Sequence, residues 1–286
     1  MTDVDVPGAT IRALIAGQGP AHVVCLHGLG SNKASFFATV SALTPLHTVH
    51  AIDLPGFGAS SKPARAPYDA AYFARAVIGY MDAAGLEEAH LVGNSMGGRI
   101  ALEVALDEPD RVRTVTLLSP ALAFRKRRSL VPLVKLVRPE LAAIPHPIRA
   151  AQVRAQFWSL FARPERLDPA AADIAADEFC RTYRSRSARI ALFAALRNIY
   201  LDAPDGRRGF WTRLVTLTPP ALFVWGEKDR LVPAAFARHV AEALPSSRQV
   251  TLPDCGHAPQ VELAERTNRL IRDHTAAAGE VRRRAA

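Results

Sequence analysis

Three residues of this 286-residue chain have the types and the order needed for nucleophilic catalysis: Ser95, Asp229 and His257. A serine hydroxyl is a poor nucleophile at neutral pH, so it needs a base within hydrogen-bond reach, and that base needs a carboxylate to fix its tautomer. Ser95 stands in Leu91-Val92-Gly93-Asn94-Ser95-Met96-Gly97-Gly98, where a short apolar run stops at a glycine-flanked serine and a helix-like pattern begins at once. This reads as strand, sharp turn and helix. Side chains two residues to either side would clash across so tight a turn, and glycine at 93 and 97 removes the clash. The turn lifts the Ser95 hydroxyl above the sheet and leaves the Met96 N–H, at the start of the helix, aimed at any oxyanion that forms there. Alone, the same spacing also suits a plain strand-to-helix turn whose serine caps the helix. Asp229 alone would be a solvated loop charge and His257 a surface histidine; the ordered set of all three favours the chemistry.

Each of the three falls at the carboxyl end of an expected strand or in the loop after it, where open α/β sheets bind ligands. Residues 9–16 and 22–27 read as two strands forming a hairpin or edge pair, parted by Gly17-Gln18-Gly19-Pro20. The second strand ends in His27-Gly28-Leu29-Gly30, whose glycines let backbone approach a ligand; the Leu29 N–H becomes the second oxyanion donor, or the stretch is a mere connection to a helix over 34–43. A strand over 47–54 runs into a Gly/Pro-rich loop tied down by Asp53. A helix over 68–84 follows, its apolar stripe including Tyr72, Phe73, Val77 and Met81. After the serine turn come a helix to Glu108-Pro109 and a strand over 112–118. Strands alternating with helices imply a mostly parallel sheet with helices on both faces, an α/β fold. Residues 121–210 carry helical periodicity and no convincing strand, so the expected organisation is a core of 1–120 and 211–286 with an inserted helical cap. Cap helices are expected over 130–137, 147–161, 169–179 and 187–200. Alternation resumes with a strand over 221–225, the loop 226–233 that holds Glu227 and Asp229, a helix over 233–244, a strand over 248–252, the His257 loop, and a last helix from 261 to about 276, with Arg282-Arg283-Arg284 as a frayed tail. Of the two acids, Asp229 is the expected partner of His257.

Composition bounds the reading. Nearly half the residues are apolar and 22% are charged, a globular balance. No run of 18 uncharged apolar residues occurs, and the acidic start Met1-Thr2-Asp3-Val4-Asp5 is unlike a secretory signal, so the expectation is a soluble cytoplasmic protein. The three cysteines have neither pairing count nor metal-ligand spacing, and no metal or organic cofactor is expected. The net charge is +9, and residues 121–210, with 17 Lys/Arg against 8 Asp/Glu, hold all of the excess. No nucleic-acid recognition motif accompanies these arginines, so nucleic acid is not an expected partner. Arg125-Lys126-Arg127-Arg128 directly precedes Leu130, Val131, Leu133, Val134, Leu136 and Val137. That pattern fits peripheral contact with anionic membrane and a lipid-like substrate; it fits better a solvated basic stretch beside a helix packed on the sheet.

The chain resembles the α/β-hydrolase family over roughly 9–120 and 210–275. His27-Gly28-Leu29-Gly30 looks like the family's oxyanion loop, Gly93-Asn94-Ser95-Met96-Gly97-Gly98 its nucleophile elbow, Trp225 to Pro233 its acid loop and Gly256-His257 its base; Asp53-Leu54-Pro55-Gly56-Phe57-Gly58 also resembles a family loop. The resemblance implies a serine hydrolase. An aspartate at 95 would have pointed to epoxide hydrolases or haloalkane dehalogenases. The elbow, the Asp229 loop and Cys255-Gly256-His257 are also similar to the meta-cleavage-product hydrolases, which break carbon–carbon bonds in dienoates. Against those, Ala258 stands where a tryptophan follows the base, and Leu29-Gly30-Ser31-Asn32 where a Gly-Pro-Gly-like loop is found. The expectation is therefore hydrolysis of a small carboxylic ester, with carbon–carbon hydrolysis or a non-catalytic hydrolase-fold receptor as alternatives.

Overall fold

A computed structural model describes residues 1–123, 130–136, 138–144 and 149–285. Its eight strands are β1 (Thr2–Val6), β2 (Ala9–Ala16), β3 (Ala21–Leu26), β4 (His47–Ile52), β5 (Ala89–Asn94), β6 (Val112–Leu118), β7 (Ala221–Gly226) and β8 (Arg248–Leu252). They form one sheet in the order β1-β2-β4-β3-β5-β6-β7-β8. β1–β2 and β2–β4 are antiparallel, and every pair from β4 to β8 is parallel. The chain goes from β3 to β4 on one side and then to β5 on the other. This reversal opens a crevice at the carboxyl ends of β3 and β5, where the Gly28 and Ser95 turns lie.

Strand side chains alternate between two buried faces. Val24, Leu26, Leu91, Phe223 and Trp225 pack on one side with α2 (Ala70–Ala83) and α3 (Met96–Asp107). Val23, Cys25, Val92, Leu222 and Val224 pack on the other with α1 (Phe37–Leu43), which follows a 3₁₀ turn over Lys33–Phe36. Among the described residues the stretch between β6 and β7 holds helices and no strand: α4 (Val131–Leu136), α5 (Ala150–Trp158), α6 (Pro169–Arg184), α7 (Arg186–Leu201) and α8 (Phe210–Leu214). Ala191, Leu192, Ala194 and Ala195 of α7 belong to the same apolar cluster as α2 and α3, so the inserted helices share the core of the sheet. α9 (Phe236–Ala243), α10 (Pro259–Glu262) and α11 (Ala264–Ala285) complete the chain. No described helix is long and apolar enough to cross a membrane.

The sequence expectations are met for most elements and corrected at several. The strands over 9–16 and 22–27 do not pair; β2 lies between β1 and β4. β1 itself was not expected, because its acidic residues hide a short alternation in which Val6 turns into the core and Asp3 and Asp5 bond Arg12 and Thr10 on β2. The helix expected from 68 begins at Ala70, since Tyr68 is left-handed (φ 52°) and the Asp69 carboxylate caps the helix by accepting from Tyr72 N at 2.8 Å. The helix expected over 233–244 is shorter, the last helix is broken at Leu263, and α11 runs through 282–284 to Ala285 rather than fraying there. α8 straddles the expected boundary at 210 and went unpredicted. Asp53 does tie its loop: buried, it accepts from Lys33 N, Lys33 Nζ and Ala59 N at 2.7–2.8 Å. The basic run 125–128 lies outside the described residues.

Candidate active site

The turn after β5 has the strained form that its glycines foretell. Ser95 adopts φ 53° and ψ −114°, a conformation costly for a residue with a side chain. A Cβ at Gly93 would stand 2.3 Å from Gly97 O, and one at Gly97 would stand 2.0 Å from Leu26 O, so both positions require glycine. The strain is held by three backbone bonds. Ser95 N donates to Leu118 O at 2.9 Å, while Ser95 O accepts from Arg99 N at 3.1 Å and Ala121 N at 2.9 Å. Ser95 remains partly exposed while Met96, Asn94 and the rest of the turn are buried.

Asp229 and His257 meet directly. His257 Nδ1 lies 2.7 Å from Asp229 Oδ2, and because a carboxylate only accepts, the ring donates and its Nε2 is left as the base atom. The other Asp229 oxygen accepts from Leu231 N at 2.8 Å and Val232 N at 2.9 Å, which fixes the carboxylate from behind. Both residues are buried, at 7% and 6% exposure, so the pair is poorly screened by water. Glu227, the other acid of the loop, turns outward to Asp254 N and Lys228.

Ser95 is joined to this pair through its neighbour. Asn94 Nδ2 donates to Leu118 O and to His257 O, each at 3.0 Å, so one amide ties the nucleophile turn to the base loop. Among the described residues the Ser95 hydroxyl itself makes no hydrogen bond; such contacts tighten when substrate binds.

The glycine turn after β3 faces the serine. A Cβ on Gly28 would be 3.3 Å from Ser95 Cβ, and a turn closed by Ser31 N and Gly28 O at 3.2 Å presents Leu29 at its corner. No hydrogen bond among the described residues uses the Leu29 or Met96 amide, so both keep a donor unspent beside Ser95. His27 braces this loop rather than joining the chemistry. Its Nε2 accepts from Leu54 N at 3.0 Å, so Nδ1 carries the proton and donates to Gly28 O at 2.8 Å; burial lowers its pKa, Asp53 opposing, and keeps it neutral. Cys255 is likewise no nucleophile, since burial pushes its thiol up to about 12.

A cavity of about 290 Å³ adjoins the turn, with Met96 and Ala121 on its wall beside Tyr68, Phe73, Arg99 and Asn198. Ser95, Asp229 and His257 do not line it. Arg99, buried one helical turn beyond Ser95, bonds Glu103 and Asp202 and lies over the Phe210 ring at 4.7 Å, tying α3 to the end of α7 and to α8.

Ser95, Asp229, His257, Leu29 and Met96 are the residues expected from the sequence; Asn94 stands in the elbow motif quoted above without a role, and Glu262 has none there.

The family model for the alpha/beta hydrolase fold matches residues 21–263, and the chain belongs to that family. It is 31% identical to the dihydrolipoyllysine-residue acetyltransferase component of an acetoin cleaving system from Cupriavidus necator, covering 94% of this chain and 67% of that protein. It is 32% identical to a 2-hydroxy-6-oxo-6-phenylhexa-2,4-dienoate hydrolase from Burkholderia cepacia, covering 91% and 89%. It is 30% identical to a pimeloyl-[acyl-carrier protein] methyl ester esterase from Aeromonas hydrophila, covering 85% and 90%.

Proposed function

We propose that this hydrolase cleaves carboxylic esters through an acyl-enzyme on Ser95. The observation that carries the reading is a strained, partly exposed Ser95 whose neighbour Asn94 bonds the backbone of a buried His257 that is itself bonded to Asp229. Ser95 Oγ bonds the acyl carbon as its proton passes to His257 Nε2; the carbonyl electrons move to the oxygen, which the Leu29 and Met96 amides receive. Collapse breaks the bond to the alcohol, which takes the proton from His257. Water then repeats the sequence and releases the acid, with the protein's own groups supplying every proton transfer. The cavity beside Met96 accommodates a small substrate group, since about 290 Å³ is at the low end for ligand sites. The similarity to the methyl ester esterase supports this choice.

The similarity to the dienoate hydrolase supports a second reading, carbon–carbon bond hydrolysis at the same serine. Side-by-side turnover of a nitrophenyl ester chain-length series and a yellow dienol-ketone substrate separates the two. Ester cleavage with an unconsumed dienol ketone is expected; the converse selects the second reading. A non-catalytic receptor would turn over neither.

We further propose peripheral contact with anionic membrane through α4, where Leu133 and Leu136 are 61% and 78% exposed and Lys135 adjoins them.

A further inference from the structure

The base loop is held by a residue with no assigned part in the chemistry. Glu262, the last residue of α10, is 5% exposed, and among the described residues its carboxylate accepts from backbone amides alone: Oε2 from Gly256 N at 2.7 Å and Ala162 N at 3.2 Å, Oε1 from Arg163 N at 2.6 Å. Gly256 immediately precedes His257, while Ala162 and Arg163 belong to the inserted helical segment, just after α5. The two stretches touch directly as well, His257 N donating to Leu160 O at 2.7 Å. They fit so closely that a Cβ on Gly256 would stand 2.3 Å from Leu160 O and 2.7 Å from Ala162 N. Outside this seam, Arg166 Nη1 donates to Asp254 O at 3.2 Å.

A carboxylate accepting three amides in a buried place is a strong and directional tie, because charge-assisted bonds are about twice as strong as neutral ones and the low dielectric sharpens them. The tie also continues toward the oxyanion turn. Phe161 packs on Phe157, Phe157 on Phe179, and a Cβ on Gly30 would meet the Phe179 ring at 2.8 Å. The insertion thus abuts the base loop through residues 160–163 and the turn that presents Leu29 through Phe179 of α6.

We propose that Glu262 is a positioning residue: it locks the 160–163 segment to Gly256 and so sets the place of the His257 imidazole relative to Ser95, making the fit of the insertion a condition for an active base. The inference rests on the serine-hydrolase reading. Because one oxygen takes both Gly256 N and Ala162 N, displacing the insertion and displacing the base are a single event. Glu262 touches no reacting atom, so its loss acts on the rate of the chemical step and leaves ground-state binding of a small ester in place.

The test uses the full chain and two changes that break the seam from opposite sides. Glu262→Gln keeps the shape but removes the charge and sets an NH₂ against at least one amide donor, and Gly256→Ala keeps the carboxylate but drives a methyl into Leu160 O. The readouts are the rate constant and end point of Ser95 labelling by a fluorophosphonate, and kcat and KM for nitrophenyl acetate. The rate constant is independent of the fraction of folded protein, which the end point reports. Both variants are expected to be labelled about ten- to hundredfold more slowly, with a kcat loss of the same size and KM within about twofold of the unaltered protein. If Glu262→Gln does not fold, Gly256→Ala decides alone. Labelling of the variants at the unaltered rate, or a raised KM with kcat kept, overturns this inference while leaving the hydrolase reading intact. An unaltered protein that is never labelled overturns both.

Discussion

The Asn94 amide donates to His257 O across 163 residues of sequence and, with its second hydrogen, to Leu118 O, so the residue before the nucleophile also fastens the loop of the base. Asn94→Ala removes both bonds; Leu118 O keeps its bond from Ser95 N, while the His257 carbonyl loses this donor, at a cost of about 1–3 kcal/mol unless water enters. Ester kcat should fall about tenfold or more while Ser95 still reacts to completion with a fluorophosphonate. Unchanged kcat would mean that the backbone holds the two loops without Asn94.

Asp229 rather than Glu227 is the carboxylate within reach of His257. Asp229→Asn should lower ester turnover by roughly 10⁴-fold, because the amide can favour the wrong imidazole tautomer. Glu227→Gln should stay within about twofold of the unaltered protein, its carboxylate being half-exposed and bonded only at the loop surface. The reverse ranking in steady-state assays would move the acid role to Glu227.

Acid should destabilise the fold through histidines buried on the parallel strands β4 and β5. Burial lowers His90 to about 3, helped by His47, Arg113 and His274 and opposed by Glu88, and lowers His50 to about 4, helped by His22; His50 also bonds Tyr80. The unfolded chain takes up these protons near pH 6.5 and the folded chain does not, so stability is full above that pH. It is then lost as pH falls toward 4, at about 1.4 kcal/mol per unit for each histidine. Urea unfolding at pH 7.5, 6 and 5 should show this decline, and His90→Gln should flatten it. Equal stability at all three pH values would contradict the account.

Membrane contact is tested by sedimentation with anionic and zwitterionic vesicles at low and high salt. The protein should pellet with anionic vesicles at low salt, since each basic residue near such a surface contributes about 1 kcal/mol, and Leu133→Ser with Leu136→Ser should abolish it. Equal pelleting of both proteins on both vesicle types would sink the idea.

What the sequence disclosed and what it withheld follow from the range of the interactions. Ser95, its two glycines and the Met96 amide were legible because the pattern that marks such a turn lies within five residues of sequence, although the bonds that hold it reach Leu118 and Ala121. Asp229 and His257 were legible because their roles demand particular side chains at strand ends. Asn94 stood in a quoted motif without a role and Glu262 in none, since the bonds that tie them across the fold, Asn94 to His257 O and Glu262 to the Ala162 and Arg163 amides, span 163 and about 100 residues and end on backbone atoms without a sequence signature. β1 escaped because its outward residues are acids, and the pairing of β2 with β4 rather than β3 depends on where the 17–20 loop crosses the start of β4. There a Cβ on Gly17 would strike His47 O at 2.2 Å.

The central claim is that Ser95 is a nucleophile activated by His257. Mass spectrometry of the protein after fluorophosphonate treatment, with Ser95→Ala beside it and nitrophenyl ester turnover followed in both, tests it most directly. The account predicts one adduct, located on Ser95 and absent from a folded Ser95→Ala protein whose turnover is lower by roughly 10⁴-fold or more. Ester turnover surviving in Ser95→Ala at near the unaltered rate, or an adduct on another residue, would contradict it.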